Sequence, residues 1–328
     1  MKKLAVPAVL AVALLLAGAT SAAQPRTDVK NYQHVFVIMM ENTGYDTLVG
    51  NPNAPWINSA IATYGVATSY FGVSHPSQPN YIAATSGSTN GVADDNDTTI
   101  NVPNVVDQLE SHGKTWKAYM QSYSLCNGNA LAHACGDQLY ERKHNPFISY
   151  ADVQSNPSRV ASIVDFSQFA TDLANNTVPD FSWISPDQCN DMHGRSTAGA
   201  CNFGNVAGLI QTGDTFLANT VAAIQSSPAW NGNSLIFITW DESDFTGSGP
   251  SGFGDTSGCC DAVLPFGGGH VLTLVISHSD HAARTSNVPY NHYSTLRWIE
   301  DQFGLPHLGY AAAKGLVTFG VDVFERPR

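Results

Sequence analysis

Five short runs of apolar and β-branched residues, at 34–40, 115–120, 181–185, 235–240 and 271–277, constrain this chain most. Runs of this length and composition read as parallel strands buried on both faces. Between them, at 56–64, 79–85, 105–112, 162–173, 215–224 and 293–303, apolar residues recur with helical spacing. The alternation predicts an α/β fold: a doubly wound, mostly parallel sheet sandwiched by helices. Segments 86–101, 122–156 and 246–269 are polar and rich in Gly, Asn and Asp, and read as long surface loops. Ligands of such a sheet bind beyond the carboxyl ends of its strands, so chemistry is expected there.

The first 23 residues carry Lys2-Lys3, an uncharged run from Leu4 to Ala17, and small residues at Ser21-Ala22-Ala23. This is the pattern of a secretory signal peptide, and its apolar core is shorter than the ~20 residues a membrane span needs. Residues 24–328 are then one exported, soluble domain, secreted or periplasmic, with no stable membrane anchor. Loss of Lys2 and Lys3 takes the formal charge from −12 to −14. So acidic a surface argues against nucleic acid as a partner and leaves any phosphate site dependent on a local cation. Export makes the six cysteines disulfide partners, with Cys126–Cys135 and Cys189–Cys201 favoured. Cys259 and Cys260 either bond to each other or take distant partners.

Glu41-Asn42 follows the first apolar run directly, and Asp241-Glu242 follows the fourth. Alone, each pair is a weak signal: Glu41-Asn42 reads more readily as a solvated turn, and Asp241-Glu242 also reads as a helix cap or an exposed acidic turn. Two such pairs at equivalent strand ends favour hard oxygen ligands for one divalent cation, because adjacent acids repel unless neutralised. Ser77, two residues before Pro79, falls at or near a helix N-terminus, where free N–H groups suit a phosphate oxygen and where a serine also serves as a simple cap. His75 precedes it by two. His193, after Asn190-Asp191-Met192, lies beyond the strand at 181–185; it is the candidate proton donor, with Asp191 or Asp187 orienting it or raising its pKa. Arg142, Lys143, His144 and His292 are further candidates for phosphate contact. His34, His112, His133, His278, His281 and His307 read as surface or structural residues, and His270 as intermediate.

These motifs resemble those of the bacterial phosphoesterase family of secreted acid phosphatases and phospholipases C, within the alkaline phosphatase superfamily. The likeness runs from His34 to about Tyr310 through His-Pro-Ser-x-Pro-Asn-Tyr at 75–81, Asn-Asp-Met-His at 190–193, Thr-Trp-Asp-Glu at 239–242 and His-Tyr-Ser at 292–294. The resemblance implies that Ser77 is the phosphate-accepting nucleophile and that Glu41, Asn42 and Asp241 bind a metal touching Ser77, with Glu242 completing the site. Larger relatives carry Asp at that last position. Two-metal members of the superfamily place a histidine after the corresponding aspartate, whereas Glu242 stands here, which favours one metal: calcium, magnesium, manganese or zinc.

The expected activity is hydrolysis of a small phosphorylated substrate, a phosphate monoester, through a phosphoserine, with His193 as acid under mildly acidic conditions. A phospholipase C-type phosphodiesterase is the alternative. A Ser-His-Asp acyl hydrolase lacks the Gly-x-Ser-x-Gly elbow around Ser77. A calcium-stabilised binding module would use the acid pairs only to hold loops.

Overall fold

A computed structural model describes residues 32–196, 198–231, 234–244, 254–260, 267–278 and 283–324. The signal segment, His281 and most of the 246–269 stretch lie outside them. Strands β1 (His34–Met40), β2 (Gly65–Phe71), β3 (Trp116–Met120), β4 (Ile163–Asp165), β5 (Phe181–Ser185), β6 (Ser234–Trp240), β7 (His270–Ser277), β8 (Arg284–Ser286) and β9 (Tyr290–Asn291) form one sheet. Its order is β8-β2-β7-β6-β1-β5-β3-β4, with β9 continuing along β2. β7 pairs antiparallel with both β6 and β2, and the other pairings are parallel.

The centre of the sheet is β1, whose residues Val35 to Met40 are all buried, flanked by the fully buried β6 and β5. Apolar side chains on both faces of these strands need a layer of helices on each side. Those helices are α1 (Pro55–Thr63), α2 (Ser77–Ser86), α3 (Val105–Ser111), α4 (Ser167–Asn175), α5 (Val206–Gln225) and α6 (His292–Phe303). Asn104 and Asn291 start α3 and α6 with reciprocal capping boxes, and Gly304, at φ 67°, ends α6. No described helix is long and apolar enough to cross a membrane.

The fold class is as the alternation predicts, with corrections of detail. The run at 271–277 is antiparallel rather than parallel. The 162–173 stretch divides into β4 and α4, and α5 begins nine residues before the predicted 215. The 122–156 segment is not simply a surface loop: Phe147, Ile148 and Tyr150 are wholly buried. Disulfides join Cys126–Cys135, Cys189–Cys201 and the adjacent pair Cys259–Cys260.

On α6, Glu300 is fully buried; its Oε1 accepts from the Leu308 N–H at 2.8 Å and its Oε2 has no hydrogen-bond partner. Burial, opposed only in part by the Leu308 N–H and the nearby Gln108 amide, lifts this carboxyl to about 8.

Candidate active site

Because β1, β5 and β6 run parallel, the residues that follow them meet at one edge. Backbone bonds lock this edge: Glu41 N–H donates to Asp191 O at 2.9 Å, Asp241 N–H to Met40 O at 3.0 Å, and Asn42 N–H to Asp241 Oδ1 at 3.1 Å. Helix α2 points its N-terminus at the same place. Asn80 fixes the approach, accepting from the Val73 and Ser74 N–H groups at 2.9 and 3.1 Å and donating to Ser74 O at 2.8 Å. Pro79, in the first turn of the helix, lacks an N–H that would have no helical partner there.

Ser77 is the first residue of α2, one past the N-cap Pro76, and its hydroxyl bonds to side chains rather than to helix N–H groups. Its hydroxyl lies 3.0 Å from Glu41 Oε2, 3.0 Å from Glu242 Oε1 and 3.2 Å from Asn42 Oδ1. One hydroxyl proton cannot serve three acceptors at once, so oxygen atoms are in excess. Asp241 Oδ2, buried beside them, has no hydrogen-bond partner. Glu41, Asp191, Asp241 and Glu242 are all at most 1% exposed. Burial, then the Glu41 charge, pushes Asp191, Asp241 and Glu242 well above the carboxylate range. Glu41 escapes this: burial raises its carboxyl, but the His144, Lys143 and His193 charges outweigh that and hold it at about 2.

Among the described residues no group of three or more His, Cys, Asp and Glu side chains is arranged as a metal centre by itself. The oxygen set at Ser77 instead combines carboxylates with the Asn42 amide and the serine hydroxyl. Hard oxygens crowded in this way, from acids that repel one another when ionised unless a cation neutralises them, suit a divalent cation.

The remaining candidates divide. His144 bridges two acids, with Nε2 3.1 Å from Glu41 Oε1 and Nδ1 3.6 Å from Asp191 Oδ2, and its ring stacks on Tyr81. Lys143 donates to Asp95 Oδ2 at 2.9 Å. Burial works against its charge, but Glu41 and Asp95 more than offset this and raise its pKa. His193 donates its backbone N–H to Asp191 Oδ1 at 2.8 Å, and its Nδ1 lies 2.5 Å from Gly194 O, which leaves Nε2 for chemistry. Contrary to the sequence expectation, Asp191 holds the backbone rather than the ring, and the pKa is lowered: burial and the Lys143 charge take it to about 4. His292 is engaged elsewhere. Its Nε2 holds the Asp241 strand end, 2.6 Å from Asp241 O, and its Nδ1 lies 3.1 Å from the Tyr70 hydroxyl, so both ring nitrogens already have protein partners. Arg142 donates to Thr98 O at 2.8 Å, bracing the 86–101 loop.

Two further residues belong to this edge. His75 contacts Glu242 Oε2 through Nδ1 and Asp255 O at 2.9 Å through Nε2, tying the acid to the 254–260 segment. Its position two residues before Ser77 was its only sequence signal. Asp95 carries no signal within its Asp- and Asn-rich loop, yet its Oδ1 accepts the Gln78 N–H of the α2 terminus at 2.9 Å.

A cavity of about 350 Å³ opens beside Asn42 and His193. A larger groove of about 600 Å³ lies between α4 and α5.

A model of the Phosphoesterase family matches residues 51–306. The chain is 29% identical to a probable acid phosphatase of Kluyveromyces lactis over 89% of its length and 64% of that protein's. It is 29% identical to a phosphatidylinositol-3-phosphatase of Mycobacterium tuberculosis over 97% of its length and 93% of that protein's. An acid phosphatase of Aspergillus fumigatus is 28% identical over 89% of the chain and 60% of its own length. The chain thus spans about three fifths of the fungal relatives. In fold it resembles an alkaline phosphatase superfamily protein of Vibrio parahaemolyticus (TM-score 0.55, 14% identity, 90% of this chain and 72% of that one). It also resembles a phosphonate monoester hydrolase of Agrobacterium radiobacter (TM-score 0.56, 13% identity, 89% and 77%). With more than three quarters of its length matched by the family's own pattern, this chain belongs to the Phosphoesterase family.

Proposed function

We propose that this protein is an exported, metal-dependent phosphatase that hydrolyses small phosphate monoesters through a phosphoserine at Ser77. The observation that carries the reading is the Ser77 hydroxyl within 3.2 Å of three oxygens from two strand ends, at the start of a helix. The acid phosphatases and the phosphatidylinositol-3-phosphatase among its relatives support a monoester, and three disulfides fit an oxidising compartment.

Glu41, Asn42, Ser77, Asp241 and Glu242 would hold the cation. Bound there, a divalent ion supplies Lewis-acid charge that favours the serine alkoxide and a phosphate oxygen. A carboxylate 3.0 Å from Ser77 Oγ, on Glu41 or Glu242, takes the hydroxyl proton. The Oγ–P bond forms as the bond from phosphorus to the ester oxygen breaks. The Gln78 N–H and the Lys143 ammonium receive the phosphoryl oxygens as Asp95 gives way. His193 Nε2 gives its proton to the departing alkoxide, then takes one from the water that attacks phosphoserine; as the Oγ–P bond breaks, Oγ regains its proton from the carboxylate, which releases phosphate and restores Ser77. Its low pKa in the unliganded site rises when a phosphate dianion enters beside it.

The test is phosphate release from an aryl monoester between pH 4 and 9, before and after chelation and metal add-back. Ser77→Ala is expected to lower turnover by at least about 10,000-fold, as loss of a nucleophile does elsewhere, with the melting temperature close to wild type because the side chain caps nothing. Full activity in the variant, or in a chelated enzyme, defeats the reading. Cleavage of diesters alone selects the phospholipase C-type alternative.

A further inference from the structure

The cavity beside Asn42 and His193 has two unlike walls. Asn42, Thr43, Thr47, His193 and Asp244 form the polar one, and Met192, Phe203, Val206, Leu209 and Ile210 the apolar one. Phe203 and Val206 are 48% and 47% exposed, high values for large apolar residues, and both border this cavity. The Phe203 ring meets the His193 imidazole edge-on, with centroids 5.5 Å apart.

Local chain geometry builds this wall. The Cys189–Cys201 disulfide closes the segment that carries His193, and Arg195 N–H donates to Cys201 O at 3.0 Å. Gly194, at φ +83°, lets the segment press onto the start of α5: a Cβ there would stand 3.0 Å from Leu209 Cδ1 and 3.3 Å from Phe203 N. The candidate leaving-group acid and the apolar wall therefore come from adjoining pieces of chain.

We propose that this cavity is the leaving-group subsite and that it selects uncharged aryl or short alkyl phosphate monoesters. The inference rests on the phosphatase reading above. The group that His193 protonates must sit next to that imidazole, and this cavity opens there among the described residues. Its volume lies near the lower end of the ~300–1,000 Å³ typical of small-molecule sites, enough for a compact body. Apolar side chains that water now touches gain by covering an aromatic or alkyl substituent. Asp244 sets the other limit. Its Oδ2 accepts from Thr47 Oγ1 at 2.7 Å and Gly44 N–H at 3.3 Å, and a carboxylate held on this wall opposes a leaving group bearing further phosphates.

Steady-state kinetics of the metal-loaded enzyme on 1-naphthyl phosphate, glycerol 2-phosphate and ATP test this. Wild type is expected to favour the naphthyl ester over glycerol phosphate by about tenfold or more in kcat/KM, with ATP poorest. Phe203→Ala narrows the naphthyl-to-glycerol ratio about fivefold to tenfold, chiefly through KM, the size of one lost aromatic contact. Val206→Ser narrows it less, and Phe203→Leu restores most of it. An equal fall on both esters in Phe203→Ala would mean that the ring acts only by steadying His193, which overturns the subsite. A flat wild-type preference, or ATP as the best substrate, overturns it as well. Failure to cleave any of the three instead brings down the phosphatase reading beneath it.

Discussion

Removal of the Asp95 carboxylate should tighten phosphate binding. Asp95 holds the two donors proposed above for the phosphoryl group: the Gln78 N–H at 2.9 Å and the Lys143 ammonium at 2.9 Å. An incoming phosphate must displace it and regain those bonds. Hydrogen bonds to charged groups contribute about 1.5–3 kcal/mol each at best. The Asp95 side chain is 32% exposed, so water replaces much of what it loses, and the pair is discounted to about 1–2 kcal/mol in total. Asp95→Ala is therefore expected to lower the inhibition constant of inorganic phosphate by roughly 5- to 30-fold. The assay is competitive inhibition at fixed pH and free metal concentration, with a matched fall in KM for a monoester. Slower product release then limits kcat. An unchanged or weaker phosphate constant would refute the competition argument, and would mean that Asp95 serves to hold Lys143 in place.

Two other substitutions test the electrostatics. His193→Gln is expected to cost about 100- to 10,000-fold in kcat on alkyl phosphates, the usual worth of a general acid, and far less on a nitrophenyl ester whose leaving group departs unaided; equal losses on both would remove His193 from that role. For Glu300, the folded carboxyl titrates at about 8 against an ordinary 4.5. The folded protein keeps a proton that the unfolded chain releases, so its stability is full below pH 4.5 and falls as pH rises to about 8. Glu300→Gln flattens that slope, and urea unfolding under chelation should show the variant gaining about 2–4 kcal/mol on wild type between pH 5 and 8, at up to ~1.4 per pH unit. Parallel pH profiles for the two proteins would contradict the burial argument.

The sequence made the strand-end chemistry legible where the signal was local. A dense apolar run followed at once by an acid marks a strand end, and Glu41 and Asp241 stand in that position. Direction was not legible: buried apolar runs look alike either way, so the antiparallel β7 read as parallel. Strand β2 escaped notice because Gly65-Val66-Ala67-Thr68-Ser69 is poor in bulky residues and its register shifts between Ala67 and Tyr70. The start of α5 was hidden by Gly208, Gly213 and Asp214, the last of which is spent accepting the Trp56 and Ile57 N–H groups of α1. The partners of Ser77, His292 and Lys143 depend on distant segments meeting, which no periodicity records.

Because Phe203 and Val206 lie on the stretch from the Cys189–Cys201 bridge into the first turn of α5, while Glu41, Asn42, Asp241 and Glu242 are welded to the central strands, the cavity's apolar wall and the oxygen set at Ser77 sit on separate pieces of chain. A change at Phe203 or Val206 alters the wall beside the cavity and touches none of the bonds that lock the sheet edge. A strand-end change has no such freedom, since Asp241 bonds Met40 through its backbone and Asn42 through its side chain. Descendants of such a chain would diversify in diet long before they diversify in reaction.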